Sequence, residues 1–586
     1  MLTIPPQKFK ESLVKEGLIT AQDFDNLLIE AERMGQNVAD VLISNGIISS
    51  DYFYNLVARY FGVKKVDLAT RTIEENILRL LPEELARQKR VIIFTKEADA
   101  TLDVAMEDPS DLETIEFLKK HLKSKIKPFL TTPEDLNRGF SLYGRHISKD
   151  FKKVIEENIR ATLRKKISDI EEVAKDVPIV AIIDNILFYA VSLRASDIHI
   201  EILESGILIR YRIDGILHEI LRVPKEVHPA IVARIKLLGG LKIDEHLKPQ
   251  DGRFRYKVGP DLIDIRVAVI PVFYGEKVEM RLLPSTQRPL SLEELGILED
   301  TGKIIEENIK KSYGMVLVCG PTGSGKTTTL YSILNILNQP EVNIVTIEDP
   351  IEYDIKYINQ TQINPLAGIT FANGLRAILR QDPNIIMVGE IRDEETAEIS
   401  VHSALTGHLL LSSLHTNDAA TAVPRLIDMK IAPFLVAAVL NVIIAQRLVR
   451  KICLDCIESY QADQNLIQFL EKQLKEINPD SKLKAPKFLY RGRGCPACNQ
   501  TGYQGRVGLF EILNINEEIR KLMISPEFSL DGLNNLAKRE GMVTMFEDGL
   551  RKAMVGVTTI EEILRVIRET KSQYPEMTLQ PGALAV

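Results

Sequence analysis

Glycine, lysine and threonine occur together at the spacing of a phosphate-binding loop. The stretch MVLVCGPTGSGKTTTLYSIL contains Gly320-x-x-x-x-Gly325-Lys326-Thr327 between an apolar strand pattern and an apolar helix pattern. Glycines let backbone N–H groups surround phosphate oxygens, a lysine neutralises the β- and γ-phosphates, and a threonine hydroxyl can coordinate Mg²⁺. The helix N-terminus adds a partial positive charge. The predicted nucleotide site, with Thr327 as the magnesium ligand, comprises Gly320, Pro321, Thr322, Gly323, Ser324, Gly325, Lys326, Thr327 and Thr328.

Carboxylates follow two further strand patterns. NIVTIEDPIEY places Glu348 and Asp349 after a β-branched strand, and NIIMVGEIRD places Glu390 after another, with Arg392 and Asp393 next. The carboxyl ends of parallel strands face the ligand crevice, where such acids can hold Mg²⁺ through water or orient an attacking water. Either acid alone could be an ordinary strand cap. Two of them downstream of a phosphate loop favour a catalytic role.

Two histidines, His408 and His415, flank the apolar strand pattern LLLSSL. A lone histidine is more often a satisfied core or surface residue than a catalyst. These two bracket a strand of the predicted nucleotide core, so the residues alone leave both interpretations open.

Four of the five cysteines form two C-x-x-C pairs, Cys453/Cys456 and Cys495/Cys498, separated by 38 residues. This gap is longer than the usual zinc-ribbon spacing. Four thiolates in two such pairs nevertheless suit one tetrahedral, structural Zn²⁺. The redox alternative needs a C-x-x-C pair beside a thioredoxin-like βαβ unit, which the sequence lacks. Cys319 lies on an apolar strand pattern, where we expect a buried structural thiol.

The elements that must position these residues alternate along the second half of the chain. From Tyr313 onward, strand, glycine loop, helix and strand recur, which predicts a parallel-sheet nucleotide-binding core. From Pro178 a helix and then alternating strands such as Ile207 to Ile213 predict a separate α/β domain ending near Pro284. The apolar run Ile431 to Ala445 is too short to span a bilayer, and we predict a buried core helix there.

An internal repeat marks the N-terminal segment. Glu11 to Leu28 aligns with Asp40 to Val57 at a constant offset of 29 residues. Each unit reads as a helix ended by glycine and followed by a second helix, with Thr20 and Asp23 as a capping pair. We therefore predict a small helical domain, closed by a mixed segment that reaches about residue 145.

Composition limits the function classes. At 586 residues the chain is expected to hold three to four domains, and its formal net charge is −7 without a long basic run. An acidic chain lacks the basic footprint of a duplex-binding protein, so nucleic acid is not the expected partner. The N-terminus lacks the apolar core and cleavage site of a secretory signal. We expect a cytoplasmic protein that reaches membranes only through partners.

Four long motifs occur in an order that resembles the secretion and pilus ATPase superfamily. GPTGSGKTTT, TIEDPIEY, ILRQDPNIIMVGEIRD and TGHLLLSSLHTNDA are similar to its Walker A, Asp box, Walker B and His box. Upstream, ASDIHIE, RYRIDG, KPQDGRF and GEKVEMRLL are similar to its preceding N2 domain. The resemblance covers roughly residues 175 to 570.

That resemblance implies a ring of six subunits that hydrolyses ATP between the N2 and RecA-like domains. It assigns Glu348 to polarising the attacking water, Glu390 to magnesium, and His408 and His415 to the γ-phosphate. Arg210 and Arg212 of the R-x-R-x-D-G motif are candidates to reach phosphate when the domains close. For either arginine singly, a solvated strand residue is nearly as good an interpretation. The absence of an Asn-Lys-x-Asp guanine-reading motif is consistent with ATP.

Two further regions resemble the same superfamily. RGRGCPACNQTGYQGRVGLFEIL is similar to the tetracysteine region of assembly and secretion ATPases, which retraction ATPases typically lack. The repeat resembles the N1 domain of pilus assembly ATPases, whose better-known relatives bind cyclic di-GMP through a motif beginning Arg-Leu-Gly and ending in glutamine. This chain has Lys8-Phe9-Lys10 and Ala31 at those positions. We therefore expect the repeat to dock a partner rather than bind a nucleotide.

The predicted architecture is α/β: a RecA-like P-loop NTPase core, a PAS-like α/β N2 domain, a helical N1 domain and a tetracysteine zinc insertion. The boundaries are N1 at 1–145, a charged helical linker at 146–174, N2 at 175–287, the core at 288–446, the tetracysteine region at 447–511, a C-terminal helical region at 512–572 and a tail at 573–586.

The predicted function is a hexameric ATPase motor for type IV pilus assembly that uses ATP, Mg²⁺ and Zn²⁺. Its expected partners are an inner-membrane platform protein and a cytoplasmic pilus accessory protein. A type II secretion ATPase is the alternative, and the catalytic motifs do not separate the two. A DNA uptake or conjugation motor and a non-catalytic, ATP-dependent scaffold are the remaining alternatives; the acidic charge disfavours the first, and intact Lys326, Thr327, Glu348 and Glu390 disfavour the second.

Overall fold

The computed structural model describes residues 5–34, 37–44, 47–68, 71, 73–78, 80–97, 99–133, 135–136, 139–140, 154–162, 174–258, 261–284, 289–495 and 498–568. The predicted tail at 573–586 lies outside these residues. Of the predicted linker at 146–174, only 154–162 and 174 are described, and 154–162 is helical.

The N-terminal repeat folds as two helix pairs. They are α1 (Pro6–Lys15), α2 (Ala21–Met34), α3 (Val38–Ser44) and α4 (Ser50–Phe61). Equivalent positions of the two units share one core, because Leu13 and Leu42, and likewise Phe24 and Phe53, are buried in the same cluster. The Asp23 N–H donates to Thr20 Oγ1 at 3.2 Å, as the predicted capping pair requires, and the Thr20 hydroxyl donates to the Asp23 carboxylate at 2.5 Å.

The mixed segment after the repeat contains a small sheet. Its elements are α5 (Glu75–Leu78), α6 (Glu83–Lys89), β1 (Val91–Lys96), β2 (Leu102–Met106), α7 (Leu112–Leu122) and β3 (Ile126–Leu130). Strand β2 pairs antiparallel with β1 and parallel with β3. Leu130 is buried among the helices of the repeat, so the sheet and the helical units share a contact.

The second domain is a six-stranded antiparallel sheet packed against two helices. Its elements are α8 (Val177–Ser192), β4 (Asp197–Leu203), β5 (Gly206–Ile213), β6 (Ile216–Val223), α9 (His228–Gly239), β7 (Gln250–Val258), β8 (Asp261–Val272) and β9 (Gly275–Pro284). The strand order is β6-β5-β4-β9-β8-β7. Alternate residues of β5, including Ile207, Ile209 and Tyr211, are buried, as the period of two predicts.

The predicted nucleotide-binding core is built on a seven-stranded sheet of order β12-β11-β13-β14-β10-β15-β18. Its strands are β10 (Gly314–Cys319), β11 (Ile344–Glu348), β12 (Ile358–Gln362), β13 (Ile385–Val388), β14 (Leu409–Leu414), β15 (Leu440–Ile452) and β18 (Tyr503–Asn514). All neighbours are parallel except β18, which runs antiparallel to β15. The helices of this region are α10 (Leu292–Leu295), α11 (Glu299–Ile309), α12 (Lys326–Leu337), α13 (Phe371–Ile378), α14 (Glu394–Leu405), α15 (Ala422–Asp428) and α16 (Pro433–Val439).

The prediction of one buried helix over Ile431 to Ala445 is wrong in its second half. Helix α16 ends at Val439, and Leu440 begins the long strand β15. The run NVII continues as a strand because β10 pairs with it on one side and β18 on the other. A short apolar run does not by itself separate a buried helix from a buried strand.

The cysteine region is inserted between β15 and β18. It contains the hairpin β16 (Ile457–Gln461) and β17 (Phe488–Gly492), with α17 (Gln464–Ile477) between the two strands. Because β15 and β18 both belong to the main sheet, the sheet extends across the boundaries predicted at 446/447 and 511/512. The chain continues through α18 (Glu517–Ile524), α19 (Leu530–Arg539), α20 (Met545–Met554) and α21 (Ile560–Arg568).

Candidate nucleotide and metal sites

The predicted phosphate loop connects β10 to α12 at the carboxyl edge of the sheet. Gly320, Gly323 and Gly325 have φ angles of 150°, 77° and 88°. A Cβ on Gly320 would lie 2.5 Å from the carbonyl oxygen of Gln446. The loop therefore needs glycine both for its backbone conformation and for its close approach to β15.

The two side chains predicted to contact phosphate and magnesium open helix α12. Lys326 Nζ lies 2.9 Å from the Gly320 carbonyl oxygen and 3.1 Å from that of Pro321, so it is held across the loop. Burial lowers the pKa of Lys326, and the Glu390 carboxylate opposes that shift. Thr327 is exposed in the first helical turn, which leaves its hydroxyl accessible.

Glu348 ends strand β11 and is only 2% exposed. Its carboxylate accepts hydrogen bonds from Thr346 Oγ1 at 2.5 Å, from Gln360 Nε2 at 3.0 Å and from the Tyr331 hydroxyl. Burial raises the pKa of Glu348, while these three donors partly counteract the shift. A carboxyl group with a raised pKa is suited to accept a proton during catalysis near neutral pH.

Glu390 follows β13 and belongs to a different electrostatic environment. Its Oε1 accepts a 2.5 Å bond from Arg392, and its Oε2 lies 3.2 Å from His415 Nε2. Burial opposes ionisation, but the hydrogen bonds and charges of Arg392 and His415 outweigh it and hold the pKa of Glu390 below its usual range. Glu390 is therefore an ionised oxygen donor, which is the ligand type that Mg²⁺ prefers.

The two histidines lie at opposite ends of β14. His415 follows the carboxyl end of the strand, beside Glu390, whereas His408 precedes Leu409. A six-residue strand spans about 20 Å, so only His415 is at the edge that carries the phosphate loop. His408 Nδ1 instead donates to the Ser403 carbonyl oxygen at 2.9 Å, at the end of α14. The structure brings His415 into the site and leaves His408 outside it.

Arg210 and Arg212 pair with carboxylates of their own domain. Arg210 bonds Glu201 at 2.7 Å, and Arg212 lies 3.3 Å from Asp197. Both carboxylates are on the neighbouring strand β4. In this arrangement neither arginine reaches the phosphate loop of the same chain, and their proposed contact with phosphate stays a prediction.

The four paired cysteines converge on one point. Their sulfur atoms all lie within 4.8 Å of one another. The Cys453–Cys495, Cys456–Cys498 and Cys495–Cys498 sulfur distances are 3.8, 3.9 and 3.7 Å. Zinc–thiolate bonds of about 2.3 Å in a tetrahedron place the sulfurs about 3.8 Å apart, so this donor set fits one Zn²⁺. Disulfide sulfurs would be about 2.05 Å apart.

Backbone amides support the thiolate form of one of these cysteines, Cys498. Cys498 Sγ accepts N–H bonds from Cys495 and Gly502, each at 3.2 Å. Burial disfavours the charged form, but these donors outweigh it and lower the pKa of Cys498. The fifth cysteine, Cys319, is fully buried at the end of β10, and burial raises the pKa of its thiol to about 12.

A protein-family model described as "Type II/IV secretion system protein" matches residues 172–565, which is more than half of the chain. The chain belongs to this family. The matched residues contain the second domain, the nucleotide-binding core and the cysteine cluster. The candidate nucleotide and metal sites described above both lie within the matched residues.

Curated relatives align over most of this family member. The type IV pilus assembly ATPase PilB of Myxococcus xanthus is 39% identical and covers 94% of this chain and 98% of its own length. The type II secretion system protein E of Pseudomonas aeruginosa is 47% identical over 68% of this chain and 78% of its own length. The type II secretion system ATPase E of Vibrio cholerae is 40% identical over 85% and 98%.

A second family model, the MshEN domain, matches residues 61–148. The match starts where α4 ends, so it covers the segment with the small sheet and leaves the two helical repeat units outside. Among the helices of the described residues, none is both long and apolar enough to cross a bilayer.

Besides Gln360, two residues at the candidate nucleotide site of this family member were not found from the sequence. Tyr331, on α12, donates to Glu348 and accepts the Glu352 N–H at 3.2 Å. Arg266, on β8 of the second domain, donates to the Ile351 carbonyl oxygen at 3.3 Å and lies 3.5 Å from Glu352. The only sequence signal for Arg266 is a charged residue inside the alternating strand IDIRVAV.

Proposed function

We propose that this family member is a P-loop ATPase that works as a homo-hexamer and couples ATP hydrolysis to type IV pilus assembly. The observation that carries the proposal is the convergence of Lys326, Glu348, Glu390 and His415 at one edge of the parallel sheet. The alignment with the M. xanthus pilus assembly ATPase over 94% of the chain supports the pilus role.

Each site residue has a separate role in the hydrolysis of ATP. Lys326 and the loop N–H groups bind the β- and γ-phosphates, and Thr327 with Glu390 would hold Mg²⁺, which supplies positive charge to the phosphate oxygens. Glu348 accepts the proton of the attacking water, because burial keeps its carboxyl group basic. His415 orients Glu390 and lies on the side where the γ-phosphate would be. The four cysteines would hold Zn²⁺ in a structural role.

Hydrolysis becomes mechanical work through the two linked domains. The second domain touches the loop that follows Glu348 through Arg266, so a change of state at the nucleotide can shift one domain against the other. In a ring, such movements would displace an inner-membrane platform protein, and the N-terminal module would dock a cytoplasmic accessory partner. The protein would thus act at the cytoplasmic face of the inner membrane through these partners.

ATP turnover measured against protein concentration, with oligomeric mass in the same samples, tests the ring mechanism. We expect turnover per subunit to rise as hexamers form and to disappear in Lys326→Ala. Turnover that is unchanged down to the monomer would retain the ATPase but reject shared sites. An intact hexamer without turnover, alone or with membranes containing its platform protein, would contradict the catalytic proposal.

A type II secretion ATPase is the second candidate, favoured by the 47% identity to the P. aeruginosa secretion protein. Complementation separates the two. The full chain is expressed in one host that lacks its pilus assembly ATPase and in another that lacks its secretion ATPase, each with the Lys326→Ala chain as control. Restored pilus formation supports our proposal, whereas restored secretion alone favours the alternative.

A further inference from the structure

The turn between β5 and β6 makes a direct contact with the cysteine region. Asp214 and Gly215 form a two-residue hairpin loop, closed by the pair Ile213 and Ile216, with φ angles of 48° and 88°. Positive φ at both positions is the signature of a type I′ turn, for which Asp-Gly is a preferred sequence. The Asp214 carboxylate projects from this turn and accepts the Gly505 N–H at 2.9 Å, across 291 residues of chain.

An irregularity in β18 makes the Gly505 N–H available. Arg450 pairs with Arg506 and Ile452 pairs with Tyr503, so β18 has one residue more than β15 between these two pairs. Gly505 lies in this bulge with a φ of 76°. A bulge with glycine in the left-handed region removes one N–H from the ladder, and Asp214 binds that N–H.

The cysteine cluster holds the strand just before this bulge. The Gly502 N–H donates to Cys498 Sγ at 3.2 Å, and the Gly502 carbonyl oxygen accepts from the Cys453 N–H at 2.9 Å. Gly502 is thus tied to one cysteine of each C-x-x-C pair, three residues before Gly505. Binding of all four thiolates to one ion would hold Cys453 and Cys498 in place and would thereby stabilise both hydrogen bonds of Gly502 at the same time.

Side-chain contacts also hold the two strands that flank the bulge. The Arg450 guanidinium stacks on the Tyr503 ring at 4.0 Å and bonds Glu562 at 2.7 Å. Burial lowers the pKa of His218, on β6, and the Arg450 charge lowers it further. The hairpin therefore contacts the base of the cysteine insertion through its turn, at the Asp214 carboxylate.

We propose that Asp214 latches the β5–β6 hairpin onto the base of the cysteine cluster, so that metal binding by the four thiolates sets how firmly the second domain is held against the core. The cluster then has a role beyond folding its own insertion. The latched hairpin carries Arg210 and Arg212, so the latch positions both arginines relative to the core. This inference depends on the contacts described here and not on what the hydrolysis drives.

Hydrogen exchange measured by mass spectrometry on the full-length, zinc-loaded chain tests the latch. Asp214→Gly removes the carboxylate while it preserves the left-handed turn, and Asp214→Asn preserves both the turn and an acceptor oxygen. Glu204→Gly, in the exposed turn between β4 and β5, is the matched control. Each variant is measured with bound zinc and after chelation, and the zinc content is determined in the same samples.

We expect Asp214→Gly to speed exchange over 213–218 and 503–508 by roughly tenfold or more, since a hydrogen bond to a charged group is lost. Asp214→Asn should remain near the parent, and Glu204→Gly should leave both segments unchanged. Chelation should speed exchange of 213–218 in the parent and add little in Asp214→Gly, because both changes break the same contact.

Two results would overturn the proposal. In the first, chelation loosens 498–508 but leaves 213–218 at the parent rate, so that the metal acts only within its insertion. In the second, Asp214→Gly exchanges like the parent in both segments, so that the carboxylate holds nothing. Neither result would bear on ATP turnover or on the pilus role, which are measured separately.

Discussion

His415 Nε2 lies 3.2 Å from Glu390 Oε2, where the carboxyl ends of β14 and β13 meet. The pairing depends on strand direction: both strands are parallel, so residues that follow them lie at the same edge of the sheet. His408 precedes β14 and is excluded by the same geometry. The distinction gives a test in which one histidine is the control for the other.

We expect His415→Gln to lower kcat by about 10- to 100-fold, because the imidazole that lies 3.2 Å from the ionised Glu390 carboxylate is lost. His408→Gln should stay within about twofold, since its ring contacts the Ser403 carbonyl oxygen far from the phosphate loop. Steady-state ATP turnover of the purified hexamers measures both. Equal losses in the two variants would contradict the assignment and would favour a role for His408 at a subunit contact.

Glu348 is expected to set the acid limb of the pH–rate profile. Glu348→Gln should lower kcat by about 10²- to 10⁴-fold with ATP binding nearly unchanged, because a general base is lost while the phosphate contacts stay. Glu306→Gln, on the exposed face of α11, is the control. ATP binding is measured separately by fluorescence of a nucleotide analogue. Turnover that survives in Glu348→Gln would reject it as the base.

The Tyr331 hydroxyl allows a second test of Glu348 as the general base, in which the direction of a pKa shift is predicted. Its hydrogen bond to Glu348 opposes the rise in pKa that burial causes. Tyr331→Phe should therefore raise this pKa further, so that turnover falls at a higher pH on the acid side. Tyr353→Phe is the matched control, because its ring packs against Tyr331 at 4.6 Å without bonding the carboxylate. An acid limb that does not move, or moves to lower pH, would contradict this role.

Local chemistry was predictable from the sequence, and long-range placement was not. The phosphate loop and the cysteine pairs depend on residue types at short spacing, and the structure shows the strand, loop and helix and the converging sulfur atoms that these spacings predict. Glu348 was found from its strand end, but its burial depends on Tyr331 and Gln360, which reach it from α12 and β12. No local sequence pattern predicts that these three side chains come into contact.

The errors also have physical causes. His408 and His415 looked equivalent in the sequence because both border the same apolar strand. They lie at its opposite ends, however, so the length of β14 separates them. The run Ile431 to Ala445 was read as one helix because its apolar residues carry no clear period, and pairing partners that are distant in sequence decided its second half. Arg210 and Arg212 were singled out by a motif, and their contact with phosphate stays a prediction. No motif marks Arg266, whose contact with the loop after Glu348 depends on where the sheet of the second domain places β8.

A buried ion pair beside the cysteine insertion predicts a pH-dependent stability. Burial opposes ionisation of Glu562, but hydrogen bonds from Arg565 and Arg450 outweigh it and lower its pKa from 4.5 to about 2. A depressed pKa stabilises the folded state above pH 4.5, and the contribution is lost as pH falls towards 2. Glu562→Gln should thus cost about 3 kcal/mol in free energy of unfolding at neutral pH.

The cost of Glu562→Gln should shrink when unfolding is measured at successively lower pH below 4.5. Urea titrations of the full chain, followed by circular dichroism, give the difference between variant and parent at each pH. Glu561→Gln, the exposed neighbour on α21, is the control and should show no such trend. A cost for Glu562→Gln that is independent of pH would mean that packing, rather than charge, holds this helix.

Arg266 is expected to transmit the state of the nucleotide site to the second domain. Its guanidinium donates to Ile351 and lies beside Glu352, in the loop that follows Glu348. Arg266→Gln should lower kcat by roughly tenfold with little change in ATP affinity, because it loses a charged contact to the loop rather than to phosphate. Arg253→Gln is the matched control, since Arg253 is the exposed cross-strand neighbour of Arg266 on β7. A rise in KM without a fall in kcat would instead place Arg266 in nucleotide binding. Equal effects of the two variants would mean that Arg266 contributes only positive charge to the sheet and no specific contact with the loop.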